Sequence, residues 1–443
     1  MNDTQLRMDI QVLRALAVLA VVIYHTGLEV LPGGYLGVDI FFVISGFLIG
    51  KMIMTSCDKG TFSFADFYLR RLFRLVPATL CTLFVTTVLA SVLLTHAGWE
   101  DFQSQLLGAL TFTANFALYF QLDYFAPAAE RMPLLHMWSL AIEEQFYLFA
   151  PVVIFLTPAR LRTAVFVVFG GLSALACFTL MFGWIDLPVS TKRAQSTAFY
   201  MLPTRAWQLI LGCLGAWVML QRPRLTIPAF SKLGALAGTI YLLIAPVGIS
   251  HPAEDAFLVC CFTLLLLLGQ DNWVPRMAIT AVFRKIGDWS YSIYLVHWPL
   301  FAFANNLFIA GPPLWSICLL CVASIGLGAA QYYYVETPFR YGWTAHKARA
   351  LAGLCAAAIA MSLAALPSLT NALYPQDMRI SEIPPNVGLS TVCNQKGAVF
   401  DDLAECRTVN APRVALLGDS LAMQWGEALA EHSEAIGGLM QIT

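Results

Sequence analysis

Charge is what this sequence has least of. Asp, Glu, Lys and Arg make up 12% of its 443 residues, about half the roughly 25% found in soluble domains, and their signs nearly cancel at a net charge of −1. The first shortage excludes a water-soluble globule. The second excludes a nucleic-acid partner, because no basic surplus exists to displace counterions from phosphates. Short internal repeats are also absent. So is a small-residue cleavage site after the first apolar block, which therefore reads as a retained helix rather than a secretory leader. Cysteine is scarce outside apolar sequence: nine of the eleven lie in or beside apolar blocks and act as small hydrophobes, whereas Cys393 and Cys406 stand in a polar tail and read as a disulfide pair.

What is there is apolar: 58% of the residues, gathered into runs of bilayer-spanning length rather than spread at amphipathic spacing. Eleven runs stand out, near 12–29, 36–56, 76–95, 137–157, 163–185, 203–220, 231–249, 255–270, 288–309, 313–335 and 350–370. The pattern predicts an all-α polytopic membrane bundle. Basic residues give its orientation. With a cytoplasmic N-terminus, the inner connections hold Lys51, Lys59, Arg70, Arg71, Arg74, Arg160, Arg162, Arg222, Arg224, Lys232, Arg276, Arg284, Lys285, Arg340, Lys347 and Arg349. The outer ones hold only Arg131, Lys192, Arg193 and Arg205. Residues 103–122 tempt a twelfth crossing, but counting it would move eleven of those inner basic residues outside, so the segment reads as interfacial or re-entrant. Eleven crossings that start inside end outside, which makes the tail from about residue 371 periplasmic or extracellular and suits a disulfide there. The tail is Pro-rich and polar over 366–388. Further on, Arg413-Val-Ala-Leu-Leu-Gly-Asp-Ser420 reads as a short buried strand entering a tight turn, with helical character following.

Ionisable groups inside a span each cost about 2.5–3.5 kcal/mol on insertion scales, so each asks for a reason. His25 follows Arg14 by eleven positions, which brings both to nearly one helix face about 16 Å apart. Such a pair either shares a polar cavity, or Arg14 snorkels to head groups while His25 bonds a neighbouring carbonyl. Asp39 opens the second span among Gly33, Gly34, Gly37 and Gly46, glycines that let helices approach closely. Arg71 and Arg74, three apart, share a face and form a fork for phosphate, or simply mark an inner loop. Glu143 and Glu144 are adjacent in an apolar run, so only one of them faces a cavity. Tyr294 and His297, again three apart, face one lumen, and His297 is either functional or a satisfied structural group.

Five motifs in order carry a resemblance. They are Arg14 and His25 with ten residues between, Gly33-Gly-Tyr-Leu-Gly-Val-Asp39-Ile-Phe-Phe-Val-Ile-Ser-Gly-Phe-Leu48, Arg70-Arg71-x-x-Arg74-x-x-Pro77, Trp138-Ser-Leu-x-x-Glu143-Glu144-Gln-Phe-Tyr147, and Ser290-Tyr-Ser-x-Tyr294-Leu-x-His297-Trp-Pro299. Over about residues 8–340 the chain resembles the membrane acyltransferase family 3. It is similar to the subgroup fused to a periplasmic SGNH-hydrolase-like domain, as in O-antigen O-acetyltransferases, with Ser420 in that domain's nucleophile position. The resemblance implies a ten-span acyltransferase core over 1–340, an extra span over 341–370, a periplasmic linker over 371–411 and the start of an α/β SGNH-like domain over 412–443. Only 23 residues follow Ser420. His432 is too near to serve as its base, since such a pair converges from separate loops, and this tail is expected not to catalyse alone.

The activity implied is transfer of an acyl group, acetyl first, from cytoplasmic acyl-CoA across a bacterial inner membrane to a sugar hydroxyl of a lipid-linked or surface glycan such as O-antigen. No metal is called for. Arg71 and Arg74, with Arg14 deeper, would hold the CoA phosphates. His25 would act as general base, or less favourably carry the acyl group itself, and Asp39 or Glu143 would orient its ring. A transporter or flippase is the rival reading. It predicts inverted repeats with broken helices in matching halves, and none is visible.

Overall fold

The structure is a computed structural model that describes residues 7–121, 129–185, 190–248, 251–269, 274, 277–308, 311–341, 347–364, 406–409, 412–417 and 429–442. The chain divides into two units, Met1–Thr370 and Asn371–Thr443.

The first unit is helical. In order it holds α1 (Met8–Tyr24), α2 (Gly37–Asp58), α3 (Phe64–Leu93), α4 (His96–Leu110), α5 (Ala114–Gln121), α6 (Met137–Leu156), α7 (Arg162–Phe182), α8 (Thr191–Tyr200), α9 (Leu202–Gln221), α10 (Ala229–Ile244), α11 (Glu254–Leu267), α12 (Ala278–Leu307), α13 (Leu314–Gln331), α14 (Thr337–Tyr341) and α15 (Lys347–Ala364). Within the described residues each of the eleven apolar runs overlaps one helix, α1, α2, α3, α6, α7, α9, α10, α11, α12, α13 or α15. Among the described residues five segments are long and apolar enough to cross a membrane: Gly34–Asp58, Phe64–Leu93, Met137–Leu156, Ala159–Phe182 and Leu314–Arg340. On α7 and α13, Val167, Phe169, Leu172, Leu319 and Val322 lie exposed, a surface suited to lipid rather than water.

Helix ends follow the polar punctuation. The Ser63 hydroxyl accepts from Asp66 N at 3.3 Å to start α3, and Ser190 does the same from Arg193 N at 3.3 Å to start α8. Gly183, at φ +64°, closes α7 in the left-handed conformation that a helix stop favours. Residues 103–122 do not form one helix. Phe112 takes φ +56° and separates α4, 15 residues long, from α5, 8 residues long. Neither reaches the roughly 20 residues a crossing needs.

α1 runs through the middle of the unit with Leu13, Ala17, Val18 and Val21 wholly buried, packed on α2 and α12. The α2–α9 contact depends on glycine. A Cβ on Gly46 would lie 1.9 Å from the Leu209 carbonyl oxygen, and one on Gly212 would lie 2.2 Å from that of Val43. We expect Gly46→Ala to lower the melting temperature of the purified protein, costing about 1–3 kcal/mol or more by overpacking. Gly171→Ala on α7, where nothing lies within 4 Å, should be neutral or gain up to ~1 kcal/mol of helix propensity. Equal melting of the two variants would contradict this packing.

In the second unit β1 (Val414–Leu417) pairs in parallel with β2 (Leu439–Ile442), Val414 opposite Leu439 and Leu417 opposite Ile442. The short helix α16 (Ser433–Ile436) lies between them in sequence. Parallel neighbours require such a crossover; the strand expected before Ser420 is present as β1, but it is not buried as expected, with Val414 and Leu416 half-buried and Ala415 exposed. Cys406 is disulfide-bonded; Cys393, its expected partner, and Ser420 lie outside the described residues. The nine other cysteines are free.

Candidate active site

One cavity gathers residues from five helices. Its lining includes Arg14 of α1, Ser45 of α2, Arg71 and Arg74 of α3, Glu143 and Tyr147 of α6, and Tyr291 and Tyr294 of α12. It encloses about 700 Å³, its open mouth included. The three-residue spacing on α3 aims Arg71 and Arg74 into it, while Arg70 is exposed. The Arg71 guanidinium sits 4.7 Å from the centre of the Tyr147 ring, a cation–π contact that fixes the fork without using up its donors. Arg74 Nε is buried without a hydrogen-bond partner, and Arg14 Nη1 donates only a long bond, 3.4 Å, to Gln11 Oε1. The cavity thus presents three guanidinium groups beside one carboxylate, Glu143. Glu144 is not part of the lining.

Behind Tyr294 of the lining stand imidazoles. Tyr294 and Ser139 line the cavity and share a 2.6 Å hydrogen bond, and the Tyr294 hydroxyl also donates to the His136 carbonyl at 3.1 Å. The His297 ring lies 5.3 Å from that of Tyr294 and 5.8 Å from that of His136. His25 Nδ1 lies 3.2 Å from His297 Nε2. The order is therefore arginines, then Tyr294, then His297, then His25, and His25 itself is not in the cavity lining. His25 also stands at the end of α1, not within a span reaching residue 29. The helix stops at Tyr24, the Thr26 hydroxyl folds back to the Ile23 carbonyl at 2.6 Å, and Gly27 turns the chain at φ +71°.

Neither expected carboxylate touches the His25 ring. Asp39 is fully buried with other partners: Arg205 Nη2 at 3.1 Å, His251 Nε2 at 3.0 Å and the Gln208 amide at 2.5 Å. The Arg205 guanidinium is in turn enclosed by the rings of Phe42, Trp138 and Phe199, 5.4 to 5.6 Å away. Asp39 therefore neutralises a buried cation and ties α2 to α9 and to the loop before α11. Glu143 stands with the arginines. The polar side chain that does meet the His25 ring is His297.

Sequence reading passed over His136, Arg205, Gln208, His251 and Glu336. Arg205 enters the loop count as an outer basic residue, yet its side chain is wholly buried. Glu336 is turned inward by a π-helical turn, Tyr332–Glu336, and accepts from the Ser292 hydroxyl at 3.0 Å. A polar or ionisable group in or beside an apolar run was the available signal for each.

A family profile described as an acyltransferase domain matches residues 8–333, a span that contains the cavity and all three imidazoles. The chain belongs to the acyltransferase 3 family. Among its relatives is a protein of Staphylococcus aureus (strain COL) provisionally named an O-acetyltransferase, 30% identical over 74% of this chain and 56% of its own length. The peptidoglycan O-acetyltransferase OatA of Listeria monocytogenes is 30% identical over 74% of this chain and 55% of its own. A protein of Komagataeibacter xylinus provisionally named the membrane-bound transacylase BcsY is 33% identical over 68% of this chain and 74% of its own. The chain thus spans little more than half the length of the first two. No solved structure matches it. Arg14, His25, Asp39, Arg71, Arg74 and Glu143 all fall within the matched span.

Proposed function

We propose that this acyltransferase moves an acyl group, acetyl first, from acyl-CoA to a sugar hydroxyl of a lipid-linked or cell-surface glycan such as O-antigen. The observation that carries the reading is the convergence of Arg14, Arg71 and Arg74 on one cavity lined also by Tyr294, behind which stand His297 and then His25. CoA bears a diphosphate and a further phosphate, and guanidinium groups bind such oxygens through paired, charge-assisted hydrogen bonds. In the absence of donor, Glu143 offsets part of this positive charge. The thioester arm would run from the arginines past Tyr294 toward His25. There the imidazole takes the proton of the sugar hydroxyl as its oxygen attacks the thioester carbonyl. The tetrahedral intermediate collapses, the carbon–sulfur bond breaks, and the same proton passes from His25 to the departing thiolate. The products are a sugar ester and CoA.

The inner-membrane setting, the cytoplasmic donor face and the periplasmic acceptor face rest on the loop charges. The names of the relatives favour acetyl and a glycan acceptor. Purified protein in nanodiscs, given radiolabelled acetyl-CoA and extracted lipid-linked glycan, should label the glycan, and absence of labelling with every glycan of the host would overturn the reading. Arg71→Gln together with Arg74→Gln should raise the KM for acetyl-CoA by about tenfold or more, as expected for the loss of two charge-assisted contacts. An unchanged KM would mean that these arginines set topology only.

A further inference from the structure

His297 makes the closest polar contact of the His25 ring, Nε2 to Nδ1 at 3.2 Å. We infer that His297 holds His25 as the Nδ1–H tautomer, so that Nε2 of His25 is the bare nitrogen that accepts the sugar proton. The inference deepens the proposed function and rests on it for the word base, but the tautomer itself follows from geometry.

His297 Nδ1 lies 2.7 Å from the carbonyl oxygen of Tyr294. A carbonyl oxygen only accepts, so His297 Nδ1 carries the hydrogen. The ring is wholly buried, and among the described residues the polar groups it meets are the backbone of Tyr294 and Ile293, which carries no charge, and His25. A second proton there would leave a buried cation with no counter-charge, which is costly. His297 is therefore neutral and its Nε2 carries a lone pair. His25 Nδ1, 3.2 Å from that lone pair, must be the donor, and a neutral His25 then keeps its own lone pair on Nε2.

The ring plane is held as well. Trp298 stands edge-on to His25 with ring centres 4.4 Å apart, and its indole N–H is anchored on the Met132 carbonyl at 2.7 Å. Tyr24 closes the other contact at 5.3 Å. A carboxylate in the place of His297 would do the same orienting work but would also raise the basicity of the pair. A neutral imidazole fixes the tautomer and adds no charge to an apolar wall. His297 is in this sense a positioning residue, acting through His25 rather than on the substrate.

The test is nitrogen NMR of the full-length protein in nanodiscs with ¹⁵N-labelled histidine, the His25 signals assigned by their loss in His25→Ala. His25 should show a protonated Nδ1 and a bare Nε2. In His297→Phe that preference should be lost and acyl transfer should fall about 100-fold, the lower end of what general-base catalysis contributes, with the KM for acetyl-CoA unchanged. His297→Gln, whose side-chain carbonyl can take the same N–H, should keep both the tautomer and most of the rate. A wild-type His25 protonated on Nε2, or an unaltered His25 tautomer in His297→Phe, overturns the inference. Should His297→Phe fail to fold, the wild-type spectrum and His297→Gln decide it. The expected tautomer in a protein that transfers no acyl group would instead sink the proposed function and leave the ring assignment standing.

Discussion

His25→Ala lowers acyl transfer by about 10²–10⁴-fold, the contribution of a positioned general base, while the protein still inserts and melts close to the parent temperature. Separation of the two effects is expected from where the ring sits. His25 is the residue after the last turn of α1, half-buried, with one polar contact to His297 and edge contacts to Tyr24 and Trp298. Its removal opens a small gap at a helix end and leaves the His297 lone pair unpaired, a modest loss beside the stability of the bundle. In kinetic terms kcat should fall and the KM for acetyl-CoA should hold, because the donor phosphates are assigned to arginines on the other side of Tyr294. Glycan labelling by His25→Ala above about a tenth of the wild-type rate would remove the imidazole from the reaction, since a lost general base costs at least ~10²-fold.

Asp39→Ala should do the reverse and damage the fold first. The carboxylate and the Arg205 guanidinium are both wholly buried and lie 3.1 Å apart. Breaking such a pair from one side costs about 3–5 kcal/mol, because the surviving charge stays buried without a partner. The Gln208 amide and His251 lose their acceptor at the same time. Removing the cation too, as in Asp39→Ala with Arg205→Met, should recover part of the loss, because the Phe42, Trp138 and Phe199 rings that enclose Arg205 accept an apolar side chain. Thermal unfolding of the parent and the two variants in detergent measures this. Were Asp39 instead the group that orients His25, Asp39→Ala would keep its melting temperature and lose turnover, and that pattern would contradict the placement described here.

The helices were legible because a bilayer demands long apolar runs and leaves little room for ambiguity. The arginine cavity was legible for a local reason: Arg71 and Arg74 are one helical turn apart, and Arg14 lies on a helix with no apolar need for it. The segment 103–122 was the hard case, since its apolar residues continue through Phe112, where the backbone turns to positive φ and only the coordinates reveal the break. The end of α1 was missed for a similar reason, as Tyr24, Leu28 and Val30 prolong the apolar run past the turn at Gly27. The partners of Asp39 were beyond reach. Gln208 and His251 lie 169 and 212 positions away in the chain, and no periodicity links residues that meet only when α2, α9 and the loop before α11 pack. The contact between His25 and His297, 272 positions apart, is of the same kind.

The account turns on a donor that reaches from three arginines to one imidazole. A cryo-EM map of the nanodisc-bound protein with a non-hydrolysable ketone analogue of acetyl-CoA measures this directly. The account predicts phosphate density among Arg14, Arg71 and Arg74, the pantetheine arm passing Tyr294, and the ketone carbon beside His25. Phosphates bound outside that cavity, or a ketone carbon on the side away from His25, would contradict it.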